Sequence, residues 1–177
     1  MTDDRLLYQS SIIRGSYFSR MLDCGPYDRW VEIALGYLPR DVLDEHKEGL
    51  AYISMAYRDG CRLARVICEN REVIVLSDHV LPKGHTDEGQ PEVRYFIYVV
   101  LHETAHAIKK HRSPKYDSLS AEEFEAQEHE ADALAFQWFN DHIALLGNPY
   151  LPAITHEEIE AAQAWSQEVM KRLLNGA

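Results

Sequence analysis

One apolar stretch, residues 95 to 101, limits what this chain can fold into more than any other part of it. It contains neither Gly nor Pro and is apolar on all sides, which is typical of a helix buried inside a domain. Pro91 suits the first turn of that helix, where a backbone N–H donor is not needed. A basic run ends at Arg112, and Ser113-Pro114 then stops the helix. The sequence therefore predicts a central helix with defined ends.

The second half of this helix carries the pattern H-E-x-x-H in residues 102 to 106. Positions i and i+4 lie on one face of a helix, so the imidazoles of His102 and His106 can reach the same metal ion. Glu103 projects close enough to accept a proton from water held by that ion. Because so short a motif also arises by chance, the rest of the chain has to support it.

A second helix offers a third ligand, which a catalytic zinc ion usually needs. This helix is predicted to begin at Ser120, because Ser120 and Glu123 have the spacing of a capping box. Farther along, Glu128 and Asp132 form the pattern E-x-x-A-D and lie one turn apart on one face. The second helix therefore presents two carboxylates on one side.

Together the two motifs resemble those of the gluzincin metallopeptidases, over roughly residues 50 to 140. The short gap between the motifs is most similar to the ImmA/IrrE-type and other minimal gluzincins. The resemblance implies that His102, His106 and Glu128 bind zinc and that Glu103 is the general base. It also implies that Asp132 supports a zinc-binding histidine from behind.

Residues near these motifs leave other third ligands possible, and they exclude the metzincin variant of the motif. His129 and Glu130 follow the third predicted ligand directly and are further potential ligands. The metzincin pattern needs Gly at position 109 and His at position 112, where this chain has Lys109 and Arg112. His111 is one residue short of the required position, so the metzincin variant is excluded.

The predicted fold is a single α+β domain over residues 1–177, zincin-like, with a small antiparallel or mixed sheet packed on the motif helix. Residues 50 to 57 end at Arg58-Asp59-Gly60, which is typical of a hairpin turn. Residues 61 to 68 are predicted as the return strand and Val73 to Ser77 as the next strand. Short helices are predicted near residues 28 to 35 and 39 to 46. A second capping box at Thr155 opens a last helix with one apolar face, formed by Ile159, Ala162, Trp165, Val169 and Leu173.

Charge and cysteine content limit which partners and which cellular compartment we expect for this chain. The formal net charge of −11 disfavours binding to nucleic acids and to anionic membrane surfaces. The longest apolar run has seven residues, whereas a membrane-spanning helix needs about 20. The three cysteines are odd in number and form no C-x-x-C pair, so reduced thiols are expected. With no signal-peptide pattern at Met1, we expect a cytoplasmic protein without nucleic-acid or membrane partners.

The predicted function is hydrolysis of a peptide bond in an intracellular protein or peptide, with Zn²⁺ as cofactor. Zinc lowers the pKa of its water toward about 7, and Glu103 passes the proton to the leaving amine. The substrate is expected to pair with the edge strand Val73 to Ser77. Tyr116, His129 and His142 are candidate donors to the developing oxyanion.

Two other functions stay open at this point. A non-catalytic zincin-fold protein would bind a regulator or peptide and use the metal only to tie the two helices together. The intact Glu103 favours the enzyme, since a scaffold does not need that residue. An acidic helical interaction module would bind no metal at all.

Overall fold

The computed structural model describes residues 22–55, 72–77, 79–85, 87–112 and 117–175. Within these ranges the strands are β1 (Leu22–Asp23), β2 (Leu50–Met55) and β3 (Glu72–Ser77). The helices are α1 (Asp28–Leu35), α2 (Arg40–His46), α3 (Pro91–Lys109), α4 (Ala121–Leu146) and α5 (His156–Asn175). The α+β class is confirmed, and the helices predicted near residues 28, 39, 91, 120 and 155 are all present.

The sheet corrects the predicted antiparallel arrangement. Its order is β1-β2-β3, and both pairs are parallel, with Leu50 opposite Glu72 and Met55 opposite Ser77. In a meander a return strand would lie between β2 and β3, whereas here the two are hydrogen-bonded directly. Parallel neighbours need a crossover of about a dozen residues or more, and residues 56 to 71 are long enough. The predicted turn at Arg58 and the strand 61 to 68 lie outside the described residues.

Among the described elements, helix α3 is central and packs against α1, α4, α5 and β3. Its Pro91 occupies the first turn, as predicted. Its inward side chains are fully buried and apolar, which explains the apolar run in the sequence: Val93, Phe96, Ile97, Val100, Leu101 and Ala105. Burying one such aliphatic or aromatic side chain contributes about 1.5–3 kcal/mol, so this helix anchors the core.

A buried hydrogen bond fixes the sheet to the motif part of α3. The hydroxyl of Thr104 donates to the carbonyl of Val100 at 2.6 Å and lies 2.8 Å from the hydroxyl of Tyr52. Because Thr104 has a single hydroxyl proton, Tyr52 is the donor in the second contact. Burial raises the pKa of Tyr52, so this phenol keeps its proton. The bond holds β2 against the turn of α3 that carries the H-E-x-x-H residues.

The ends of α4 and α5 show which capping signals were reliable. The Ser120 and Glu123 capping box is present in full, as predicted. At α5, Thr155 accepts from the backbone N–H of Glu158, but the Glu158 carboxylate pairs with Arg94 at 2.5 and 3.0 Å instead of returning to Thr155. This pair ties α5 to α3. None of the helices in the described ranges is long and apolar enough to cross a membrane.

Helix α3 ends at a strained residue. Lys110 has φ +54° in the left-handed region, which favours glycine. Its N–H bonds to the carbonyl of Ala107, and the N–H of His111 bonds to the carbonyl of His106. These two bonds form a Schellman motif, which reverses the chain directly after the helix.

Lys110→Gly is expected to stabilise the protein by about 1 kcal/mol, because glycine adopts this conformation without a Cβ clash. For a chain of this size the melting temperature should rise by about 2–4 °C in a thermal scan with a metal chelator present. Lys110→Ala is the control, since it removes the long side chain and keeps the strain. An equal rise in both variants would show that the lysine side chain, and not its backbone, is the unfavourable feature.

Candidate metal centre

The donor groups of three side chains from α3 and α4 lie close together. Nε2 of His102 and Nε2 of His106 are 3.0 Å apart, and the Glu128 carboxylate oxygens lie 3.6 Å from the first and 3.5 Å from the second. His102, His106 and Glu128 are also the group in the described residues whose donor atoms could hold a metal ion. The structure thus brings together the three predicted ligands, while metal binding itself stays a prediction.

The spacing of these atoms fits a four-coordinate ion. Zinc bonds to His nitrogen and carboxylate oxygen at about 2.0–2.1 Å, and a tetrahedral angle then separates two ligand atoms by about 3.3 Å. The two histidine nitrogens are 3.0 Å apart, and each lies 3.5 or 3.6 Å from a different oxygen of the Glu128 carboxylate, so these separations are close to that value. Small shifts of side chains would therefore complete the coordination, without movement of a helix.

The local sequence explains why the helices approach so closely here. His102 and His106 are four residues apart on α3, so both rings leave the same face. Ala105 and Ala131 are fully buried, and each lies within one turn of a triad residue. Small buried side chains allow two packed helices to lie close together, because the distance between helix axes depends on the side chains at the contact. Glu128 on α4 can then reach both histidines.

The predicted carboxylate, Asp132, lies next to the side of His102 that faces away from the triad. Asp132 Oδ1 lies 2.8 Å from Nδ1 of His102, although this oxygen is off the direction of the Nδ1–H bond. The same oxygen accepts a 2.5 Å hydrogen bond from the hydroxyl of Tyr98. Burial and then the Asp132 contact raise the pKa of Tyr98, so the phenol remains a donor. Tyr98 thereby fixes Asp132, and sequence reasoning had missed it.

The ring of His106 is electrically suited to bind a cation through a free lone pair. Burial, followed by the neighbouring His102 and His111, lowers the pKa of His106 to about 4. The imidazole is therefore neutral at neutral pH, the form that binds metals.

Glu103 lies near the triad without belonging to it. Loss of hydration raises the pKa of Glu103, His102 opposes the rise and Glu128 adds to it. Because the residue as a whole is exposed, water moderates these effects. Glu103 therefore lies close enough to His102 and Glu128 to interact with them electrostatically, and it is reachable from solvent.

The two alternative third ligands have other partners. His129 points to solvent, with its side chain 75% exposed and Nε2 3.7 Å from the Glu125 carboxylate. The Glu130 carboxylate contacts Lys109 at 2.7 Å and His111 at 3.2 Å. Hydrogen bonds from these two residues hold the pKa of Glu130 below its usual range. Glu128 is therefore the carboxylate that meets both histidines.

The positions of the side chains also reduce the number of candidate donors to the oxyanion. His142 is buried and stacks on Tyr37, and it lies 14 residues beyond Glu128 on α4, about 21 Å along a straight helix. At that distance His142 cannot donate to an oxyanion that forms at the triad. Tyr116 lies outside the described residues.

Asp132→Ala is expected to weaken zinc affinity by about 10- to 100-fold, because His102 loses the group that orients it. Tyr98→Phe should have a smaller effect in the same direction, since the carboxylate stays and only its donor is lost. Asp141→Ala changes an exposed aspartate on the same helix and is the matched control. Competition with a chromophoric chelator measures all of these affinities. Complete loss of binding in Asp132→Ala would instead make Asp132 a ligand, and unchanged affinity would make it an ordinary solvated residue.

The triad opens toward solvent on the α4 side. The Glu128 side chain is 39% exposed, compared with 15% for His102 and 21% for His106. No protein-family model matches the chain, and no curated protein or solved structure matches it. What the centre can bind and do therefore follows from its donor set, its geometry and its access to solvent.

Proposed function

We propose that the chain is a zinc-dependent peptidase with a zincin-like fold, related to the gluzincins. The observation that carries this proposal is the convergence of His102, His106 and Glu128 with Glu103 close by and accessible. Two nitrogen donors and one carboxylate are a ligand set that catalytic zinc sites use, with the fourth position left for water or substrate. His102, His106 and Glu128 would hold the ion.

The exposure of the centre favours catalysis over a structural role. Structural zinc is usually enclosed by four protein ligands. Here the group that converges within the described residues has three members, and Glu128 is accessible to solvent. A pure scaffold also has no use for Glu103. These features support the peptidase over a non-catalytic zincin-fold protein.

The proton steps fall to Glu103. When bound, zinc would acidify a water molecule and polarise the scissile carbonyl group. Glu103 would accept a proton from the water molecule whose oxygen attacks the carbonyl carbon. The same carboxyl group would then deliver the proton to the amine nitrogen as the C–N bond breaks. Asp132 and Tyr98 keep His102 oriented throughout.

A protein or peptide substrate is proposed to add to the sheet at β3. In the described part of the sheet β3 is the last strand, and it packs against α3. Val75 is 47% exposed there, between the buried Ile74 and Leu76. An extended peptide beside an edge strand gains main-chain hydrogen bonds, whatever its side chains. The cysteine content favours a cytoplasmic substrate.

Incubation of the protein with a mixture of proteome-derived peptides tests the proposal. We expect mass spectrometry to find new termini that appear with zinc, disappear with a chelator and return when zinc is restored. Cleavage that survives chelation would contradict a metal mechanism. A zinc-loaded protein that cuts none of the peptides would favour the non-catalytic function.

A further inference from the structure

The side of His106 that faces away from the triad contacts a second imidazole. Nδ1 of His106 lies 2.9 Å from Nδ1 of His111. On the far side of that ring, Nε2 of His111 lies 3.2 Å from Oε2 of Glu130. The other Glu130 oxygen is 2.7 Å from the ammonium group of Lys109. A continuous row of polar contacts therefore runs from the metal centre to a surface ion pair.

Protons can occupy this row in one consistent way when a metal is bound. A neutral His106 that offers Nε2 to a metal carries its proton on Nδ1 and must donate it. His111 accepts with Nδ1, so its own proton sits on Nε2. That N–H then donates to the Glu130 carboxylate, which Lys109 keeps in place. The carboxylate at the end thus selects the tautomer of both rings.

The backbone around His111 is held by contacts of its own. The left-handed conformation of Lys110 turns the chain back toward α3 directly before His111. On α4, Gln127 accepts from the backbone N–H of Arg112 at 2.8 Å and donates to its carbonyl at 3.3 Å. The Arg112 side chain contacts Glu123 at 2.8 Å. The backbone is thus fixed on both sides of His111, and the His111 side chain is only 8% exposed.

The two histidines of the triad are consequently supported by different groups. His102 contacts the Asp132 carboxylate directly. His106 contacts His111, and the opposite side of the His111 ring contacts the Glu130 carboxylate. Metal-binding histidines usually donate their other N–H to a carboxylate, carbonyl or water, and that partner raises affinity and fixes the ring. His111 satisfies the same need with a neutral acceptor.

We propose that His111, held by Glu130, is a positioning residue that fixes the orientation and tautomer of His106 for metal binding. This rests on the proposed metal centre and does not depend on peptidase activity. Residues 109 to 112 therefore serve the centre as well as ending the helix. Loss of His111 should weaken the metal site while its three ligands remain.

Zinc affinities of four variants, measured by chelator competition, test the proposal. His111→Ala should weaken binding by about 10-fold or more, the usual scale for an orienting partner. His111→Gln should recover part of the loss, because its amide oxygen can still accept from His106. Glu130→Ala should weaken binding less than His111→Ala does. His129→Ala is the matched control, an exposed histidine on α4, and should bind like the wild type.

Two further measurements separate positioning from a general loss of structure. Melting temperatures with a chelator present should be nearly equal for the wild type and His111→Ala, whereas the rise on adding zinc should be smaller in the variant. Long-range ¹⁵N–¹H NMR of the zinc-loaded wild type should show the His111 proton on Nε2 and the His106 proton on Nδ1.

The outcomes distinguish failure of this inference from failure of the metal centre. A wild type that binds zinc, with His111→Ala equal to it or with the His111 proton on Nδ1, overturns the positioning role and leaves the metal centre standing. A wild type that binds no zinc overturns both. A loss in His111→Ala that is matched by an equal fall in metal-free stability also overturns the positioning role.

Discussion

Glu103→Gln is expected to abolish peptide hydrolysis, by a factor of at least about 100, while the protein still binds one zinc ion. The amide keeps the shape of the side chain but cannot accept a proton from water, so the proposed general base is lost. The proposed ligands are His102, His106 and Glu128, so the variant alters none of them. The ratio of kcat/KM values for wild type and variant, at equal zinc occupancy, measures the effect.

Glu160→Gln is the matched control for this experiment. It makes the same change of charge at an exposed position on α5 and should leave hydrolysis unchanged. If Glu103→Gln retained the wild-type rate, the proposed proton transfer would be wrong even if zinc were present. If it lost zinc as well as activity, Glu103 would have to be part of the metal site.

His106→Ala is expected to weaken zinc binding by more than about 100-fold, beyond the range typical of an orienting partner. It removes one of three donors and leaves the other two 3.6 Å apart with a gap between them. The fold should persist, because the core side chains of α3 lie on its other face. Metal content after dialysis and the affinity from chelator competition check the two parts of this prediction.

His129→Ala again provides the control, as a histidine on the neighbouring helix that lies outside the triad. Full zinc content in His106→Ala would contradict the assignment of the centre. Loss of zinc in both variants would point to a site that involves the solvent-exposed side of α4.

Local signals in the sequence predicted the helices well, and they also predicted that His102, His106 and Glu128 lie close together. The start of α4 follows from one hydroxyl and one carboxylate three residues apart, Ser120 and Glu123, whose hydrogen bonds depend on no distant part of the chain. The convergence of His102 and His106 follows from helical geometry alone. Glu128 required only that a second helix pack beside the first, which its motif indicated.

The sheet was predicted less well because strand pairing is not local. Whether β2 meets β3 directly depends on the path of the intervening residues, which alternation of apolar and polar side chains does not encode. The last helix shows a related error of one position. Trp165 was placed on the packed face, but it is 50% exposed, and the neighbouring Ser166 is buried instead.

The groups that support the triad could not be read from spacing. Tyr98 is one turn before His102, and that spacing would have indicated a shared face, but its hydrogen bond is made to Asp132 on another helix. In the sequence, His111 was considered as part of the basic run at the end of α3 and as a position that does not fit the metzincin pattern. Its contact with His106 depends on the left-handed turn at Lys110, and a lysine in the sequence does not predict that conformation.

X-ray absorption at the zinc edge tests the central claim most directly, using protein purified without added metal and then loaded with one equivalent of zinc. We predict about one tightly bound zinc per chain, with nitrogen and oxygen neighbours at about 2.0–2.1 Å and the outer-shell scattering of two imidazoles. The same spectrum of His106→Ala should show one imidazole at most. A sulfur neighbour at about 2.3 Å, or no tightly bound zinc in the wild type, would contradict the centre formed by His102, His106 and Glu128.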